Sequence, residues 1–147
     1  MTLKEQLFKH EGFIPHAYQD SLGYWTIGVG RLIDKRRGGK ITKEEAQFLL
    51  DNDIKRVMAE VHKALPWVLT PAPLGAAMNE ARQDVLYNMA FNLGTEGLLK
   101  FRTTLARIAS GEYESAARAM LLSKWATQVG GRATELSEQM RTGIRVI

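Results

Sequence analysis

Glu11-Gly12-Phe13-Ile14-Pro15-His16-Ala17-Tyr18-Gln19-Asp20, running on through Ser21-Leu22-Gly23-Tyr24-Trp25-Thr26-Ile27-Gly28-Val29-Gly30, is the stretch on which the fold turns. Just upstream, Thr2-Leu3-Lys4-Glu5 is a capping box, in which a threonine hydroxyl and a glutamate carboxylate each satisfy an amide that a first helical turn leaves unpaired. Leu3, Leu7 and Phe8 then give a helix one apolar face, and Gly12 ends it with Glu11 on the last turn. The macrodipole disfavours an anion there, which suggests either a positional demand on Glu11 or an exposed, tolerant site. From Phe13 to Asp34 the pattern changes to short β-prone pieces. Ser21-Leu22-Gly23 has turn chemistry. Tyr24-Trp25-Thr26-Ile27 reads as a strand, Gly28 and Gly30 mark a bend or a close backbone approach, and Arg31-Leu32-Ile33-Asp34 is a candidate third strand.

Downstream, Lys35-Arg36-Arg37-Gly38-Gly39-Lys40 reads as a basic, flexible loop. A second capping box, Thr42-Lys43-Glu44-Glu45, opens the longest helix, whose stripe Leu50, Ile54, Val57, Val61 and Leu65 steps by three and four residues until Pro66 stops it. Pro66 to Pro73 is a proline-rich connection, and Asn79 is a cap for a helix that is apolar nearly all round from Val85 to Phe91 and closes at Gly94. Helices follow around Leu99 to Ala109 and Tyr113 to Leu122, the latter with Tyr113, Ala116, Ala117, Met120 and Leu121 on one face. Gly130-Gly131 precedes a last helix with Ala133, Leu136 and Met140 inward. The expected architecture is α+β in a single domain. A small N-terminal antiparallel sheet lobe (about 12–42) is joined by a long helix (about 43–65) to a mainly helical C-terminal lobe (about 66–147), on which the N-terminal helix 2–11 packs.

The 147 residues, 45% hydrophobic and 24% charged, suit a soluble globular domain with a real core. No cysteine is present, which removes a disulfide framework, a thiolate nucleophile and a cysteine-held metal. A net charge of +4 favours anionic partners such as nucleic acid, membrane surfaces or a bacterial wall, or simply keeps the protein soluble. No signal peptide is visible at Met1-Thr2-Leu3-Lys4-Glu5. The uncharged stretch Ala64 to Met78 is too short to span a bilayer and is broken by Pro66, Pro71 and Pro73, so no membrane insertion is expected.

Cleaving an acetal with water needs a proton for the leaving oxygen and a carboxylate to deploy the water, and Glu11, Asp20 and Thr26 fit by type. The residues alone also admit plain structural roles: a solvated glutamate, a turn-forming aspartate, a strand threonine. Rival chemistries fit less well. Ile33 stands where a dinucleotide fingerprint needs its third glycine. His10, His16 and His62 show no ligand spacing and read as surface residues, so neither metal nor cofactor is expected. No G-x-S-x-G occurs. Lys35 to Lys40 could touch phosphates but reads as a solvated loop. Trp67 and Trp125 read as packing, with Trp25 left open.

Glu11-Gly12 with Tyr18, Asp20, Gly23 and Thr26-Ile27-Gly28-Val29-Gly30 resembles the N-terminal signature of the bacteriophage-type lysozymes, glycoside hydrolase family 24. The resemblance continues at Ile41-Thr42-Lys43-Glu44-Glu45-Ala46, at Asn88-Met89-Ala90-Phe91-Asn92-Leu93-Gly94, and from Trp125 through Arg132 to Arg141-Thr142-Gly143. It implies a lysozyme-like fold and a muramidase that cuts the β-1,4 bond between N-acetylmuramic acid and N-acetylglucosamine in peptidoglycan glycan strands. By that resemblance Glu11 is the general acid, Asp20 the carboxylate that positions or activates water, and Thr26 its partner. Arg132 reaches the catalytic glutamate with Tyr18 beside it, and Leu32, Phe91 and Thr104 line the saccharide groove. Stereochemistry stays open, since inversion goes with carboxyl groups about 6.5–9.5 Å apart and retention with about 5–5.5 Å.

The resemblance further implies a monomeric endolysin that accumulates in the host cytoplasm, needs a holin for passage to the wall in the periplasm, and takes neither nucleic acid nor cofactor. The alternative is a non-catalytic wall-binding module on a lysozyme scaffold, and a nucleic-acid binder rests on charge alone. Three departures stand out. Arg31 replaces a histidine common among relatives, so any histidine ion pair must be absent or replaced. Ala119 falls where a polar substrate contact is sometimes found. The segment from Asp34 to Ile41 is short, implying a smaller sheet and a more open groove edge.

Overall fold

The structure, a computed structural model, describes residues 1–33, 39–69 and 78–146. The chain divides into two compact units, Met1–Leu49 and Leu50–Ile147. The expected α+β class is what is found, with a small antiparallel sheet early in the chain and helices thereafter. Most of the basic loop (34–38) and most of the proline-rich connection (70–77) lie outside the described residues, as does Asp34 of the candidate third strand.

In the first unit, α1 (Leu3–Glu11) begins with the expected box: Thr2 N–H donates to Glu5 Oε2 at 2.7 Å and Glu5 N–H to Thr2 Oγ1 at 3.2 Å. It stops at Gly12, and none of its residues is buried. β1 (Ile14–Gln19), β2 (Trp25–Gly28) and β3 (Arg31–Leu32) form an antiparallel sheet in that order. The pairing of β1 with β2 shifts register between Ile14 and Tyr18. Pro15 lies in that irregular part of an edge strand, where its missing N–H costs no ladder bond. Among the described residues of this unit Thr26 alone is buried, at 3% exposure. The unit is therefore arranged around a hydroxyl rather than an aliphatic cluster.

The helix α2 (Lys43–Ala64) starts in the first unit and ends in the second. Thr42 N–H donates to Glu45 Oε1 at 3.0 Å and Glu45 N–H to Thr42 Oγ1 at 3.1 Å, again as the sequence indicates. Its stripe is only partly covered: Val57, Val61 and Leu65 are buried, while Leu50 and Ile54 are exposed.

The second unit holds the core. After a 3-10 turn at Pro66–Leu69 come α3 (Glu80–Leu99), α4 (Arg102–Ala109), α5 (Tyr113–Leu121), α6 (Lys124–Val129) and α7 (Gly131–Thr142). The last of these packs on α3, α5 and α6, and α4 packs on α5. Asn79 caps α3 by accepting from Arg82 N–H at 3.0 Å. Val85, Leu86, Met89 and Ala90 lie inside with Met120, Leu136 and Met140. Burying each large aliphatic side chain contributes about 1.5–3 kcal/mol.

Three expectations fail here. Gly94 does not close α3: its backbone (φ 75°, ψ 159°) kinks the helix, which resumes and runs to Leu99. No left-handed cap forms because ψ is extended and the following residues recover helical bonding. Leu121 (48%) is exposed on the margin of α5, whose other apolar positions fill the core, and Phe91, for which groove and core were both open, is 46% exposed. His62 is not a surface residue either, since it is half-buried with its Nε2 2.5 Å from Tyr87 Oη.

Candidate active site

The sheet of the first unit gathers five of the residues singled out by sequence. Asp20 closes β1 and organises the turn to β2. Its Oδ1 accepts from Leu22 N–H at 2.9 Å and Tyr24 N–H at 2.8 Å. Its main chain bonds the same turn, with Asp20 N–H to Tyr24 O at 2.8 Å and Gly23 N–H to Asp20 O at 2.9 Å. An aspartate bonding backbone two residues ahead is ordinary turn chemistry. What it achieves here is a carboxylate fixed through one oxygen, Oδ1.

Thr26 lies two residues on, and its Oγ1 donates to Tyr24 O at 3.1 Å. With that hydrogen committed to a carbonyl, the hydroxyl oxygen keeps its lone pairs to accept from another donor. In the sheet register Thr26 is directly opposite Tyr18 on one side and Leu32 on the other. Residues paired across strands share a face. Tyr18, Thr26 and Leu32 therefore form a single row, with the hydroxyl between an aromatic and an aliphatic flank. Glu11 is exposed at the end of α1, and its carboxyl reaches the turn between β2 and β3, against Gly30.

Arg31 makes an ion pair with the helix that follows the sheet. Its guanidinium forks onto Glu45, with Nη1 to Oε1 at 3.3 Å and Nη2 to Oε2, and Nη1 also donates to Lys40 O at 3.1 Å. The pair ties β3 to the first turn of α2. Thr42 N–H, then Arg31, hold the Glu45 carboxyl below its ordinary value.

In the second unit Arg132 donates from Nε to Asn88 Oδ1 at 2.9 Å. Both line a concavity of about 420 Å³ together with Phe91, Tyr87, Asp84 and Ile54. Thr104 is buried in a different concavity of about 660 Å³, with Phe101, Ala119 and Trp125. Phe91 and Thr104 thus line separate recesses. Trp125 is buried, donates from Nε1 to Asn92 Oδ1 at 2.9 Å and meets the Phe101 ring edge-on at 5.9 Å. Trp67 packs against the core, as expected, whereas Trp25 is exposed.

Two participants escaped sequence reasoning. Asn88 is the side chain that orients Arg132, and the signal for it was a lone amide inside the apolar run Val85 to Phe91. The other is Tyr24, whose backbone anchors both Asp20 and Thr26, a role that carries no side-chain signature. Among the described residues no group of His, Asp or Glu is placed to hold a metal ion.

A family model described as phage lysozyme matches residues 8–141, taking in nearly every motif on which the resemblance rested. Over 97% of its length the chain is 32% identical to the pre-baseplate central spike protein Gp5 of Enterobacteria phage T4, of which it spans 28%. It is 32% identical to the endolysin of Salmonella phage P22, across 81% of this chain and 78% of that protein. It is 24% identical to a probable T4-type lysozyme of Dictyostelium discoideum, across 97% and 95%.

Proposed function

The chain belongs to the phage lysozyme family, whose chemistry is glycoside hydrolysis, and from that premise we propose that it is a muramidase hydrolysing the β-1,4 bond between N-acetylmuramic acid and N-acetylglucosamine in peptidoglycan. Glu11 in its acid form donates a proton to the glycosidic oxygen as the bond to C1 breaks. A water held by Asp20 Oδ2 and Thr26 Oγ1 adds its oxygen to C1 and gives its spare proton to a carboxylate. Water is thereby divided between the two new ends. Tyr18 and Leu32 flank the sugar beside Thr26; by the family likeness Phe91 and Thr104 are further saccharide contacts, and Arg132, tethered on Asn88, is a supporting residue.

The single observation that carries this reading is the clamp on Tyr24. A carboxylate and a hydroxyl, both commonly mobile, are held by the same backbone residue with an acceptor oxygen remaining on each. Preorganised polar groups of this kind stabilise a developing charge without reorganising during the reaction. The test is Glu11→Gln on purified peptidoglycan: release of reducing ends should vanish while the fold is kept, and turnover near wild type would remove Glu11 from its role.

In the cell we propose an endolysin role, in which a monomer reaches the wall through a holin-made lesion and needs no cofactor. Among the described residues no helix is long and apolar enough to cross a membrane. A second reading has one observation in its favour, the likeness to a spike protein of which the chain spans 28%: the same cleavage would then serve a phage particle rather than host lysis. Lysis timing after deletion in an infected culture separates the two. A wall-binding module without activity is disfavoured because Glu11, Asp20 and Thr26 are all present in the sequence, and it predicts saturable binding to permeabilised cells with no clearing.

A further inference from the structure

We propose that Gly30 is a positioning residue for the Glu11 carboxyl: its missing side chain is the seat in which that carboxyl rests. This rests on the reading of Glu11 as the acid. Gly28-Val29-Gly30 connects β2 to β3, and Gly28 and Gly30 both have positive φ, 71° and 63°. Backbone conformation therefore asks for glycine at both positions. The surroundings differ. A Cβ at Gly28 would meet nothing within 4 Å, whereas one at Gly30 would lie 2.7 Å from Glu11 Oε2, 2.9 Å from Cδ and 3.2 Å from Cγ.

A methyl at 30 would push the flexible end of the Glu11 side chain out of its present place, so the missing side chain is what leaves room for the carboxyl where it stands. Glutamate loses much rotamer freedom when ordered, and an exposed one at a helix end has little else to order it. The notch gives the acid its room, in a turn that follows directly from the strand bearing Thr26. Acid and hydroxyl are in this way indexed to one hairpin. A misplacement of about 1 Å in a reacting group costs on the order of 100-fold in rate.

Gly28 is the internal control. Gly28→Ala and Gly30→Ala both carry backbone strain, and only the second collides with Glu11. On purified peptidoglycan, Gly30→Ala should lower kcat by on the order of 100-fold with KM little changed, and Gly28→Ala should stay within about threefold of wild type. A carboxyl ¹³C spectrum at fixed pH should show the Glu11 resonance displaced in Gly30→Ala and unmoved in Gly28→Ala. A stability cycle reads the contact without any activity: the Tm penalty of Gly30→Ala should shrink in a Glu11→Ala background, and that of Gly28→Ala should not. If Gly30→Ala alone does not fold, recovery of folding in Glu11→Ala/Gly30→Ala supports the same contact. Equal kcat in the two glycine variants, an unmoved Glu11 signal or equal penalties in both backgrounds would overturn the proposal. A wild-type protein that leaves peptidoglycan uncut would instead sink the functional reading, while the cycle would still report on the notch.

Discussion

Asp20 and Thr26 grip opposite ends of the same residue: the carboxylate accepts from Tyr24 N–H at 2.8 Å and the hydroxyl donates to Tyr24 C=O at 3.1 Å. The pair proposed to hold the water is therefore part of the hairpin's own hydrogen bonding. Its two members have different structural duties, and these separate their roles in turnover from their roles in stability.

Asp20→Asn keeps an oxygen that can accept from Leu22 and Tyr24, and Asp20→Ala does not. Both should abolish turnover. Only the alanine variant should lose stability, by about 1–3 kcal/mol for the backbone donors it strands. Thermal melts beside a reducing-end assay check this, and equal stability of the two would remove the carboxylate from the turn.

Thr26→Val fills nearly the same space at a buried site of the sheet unit, but removes the oxygen. Activity should fall by on the order of 100-fold, with a stability loss of about 1 kcal/mol for the bond to Tyr24. Thr26→Ser keeps the oxygen and should retain measurable turnover. A fully active valine variant would contradict the role given to the hydroxyl.

The Arg31–Glu45 fork has a pH signature. Thr42 N–H and Arg31 depress the Glu45 carboxyl in the folded protein below 4.5. An unfolded chain then binds the more protons in the acid range, so this contribution is present above the unfolded value and fades as pH falls through the folded one. Glu45→Gln should flatten the acid limb of the curve of Tm against pH and leave neutral turnover intact. Arg31→His would make the pair titrate near neutrality as well.

Asn88→Ala should reduce turnover by roughly tenfold through the untethered Arg132 while changing stability by no more than about 0.5 kcal/mol, because Asn88 is exposed. In an Arg132→Ala background the same change should have little further effect on rate. Additive losses in that cycle would mean that Asn88 acts independently.

Local chemistry made much of this legible. Both capping boxes and the Asn79 cap depend on residues within three positions of each other, and each forms as the sequence indicates. The buried faces of α5 and α7 follow from helical periodicity, as does most of the run from Val85 to Ala90. Failures came where tertiary context decides. Whether a glycine ends a helix or bends it depends on what packs beyond it, and Gly94 bends α3. Leu121 lies at a stripe edge, where periodicity cannot say which side of the boundary is covered. Gly30 reads in the sequence as either a bend or a close backbone approach, and the group that approaches it, the carboxyl of a residue nineteen positions earlier, is visible only in three dimensions.

Digestion of purified peptidoglycan in H₂¹⁸O, with mass spectrometry of the reduced products, addresses the chemistry most directly. Cleavage of the proposed bond by water yields N-acetylmuramic acid at every new reducing end, each carrying a single ¹⁸O at C1. Products ending in N-acetylglucosamine, or in an anhydro sugar without label, would mean that another bond is cut or that water is not the attacking group.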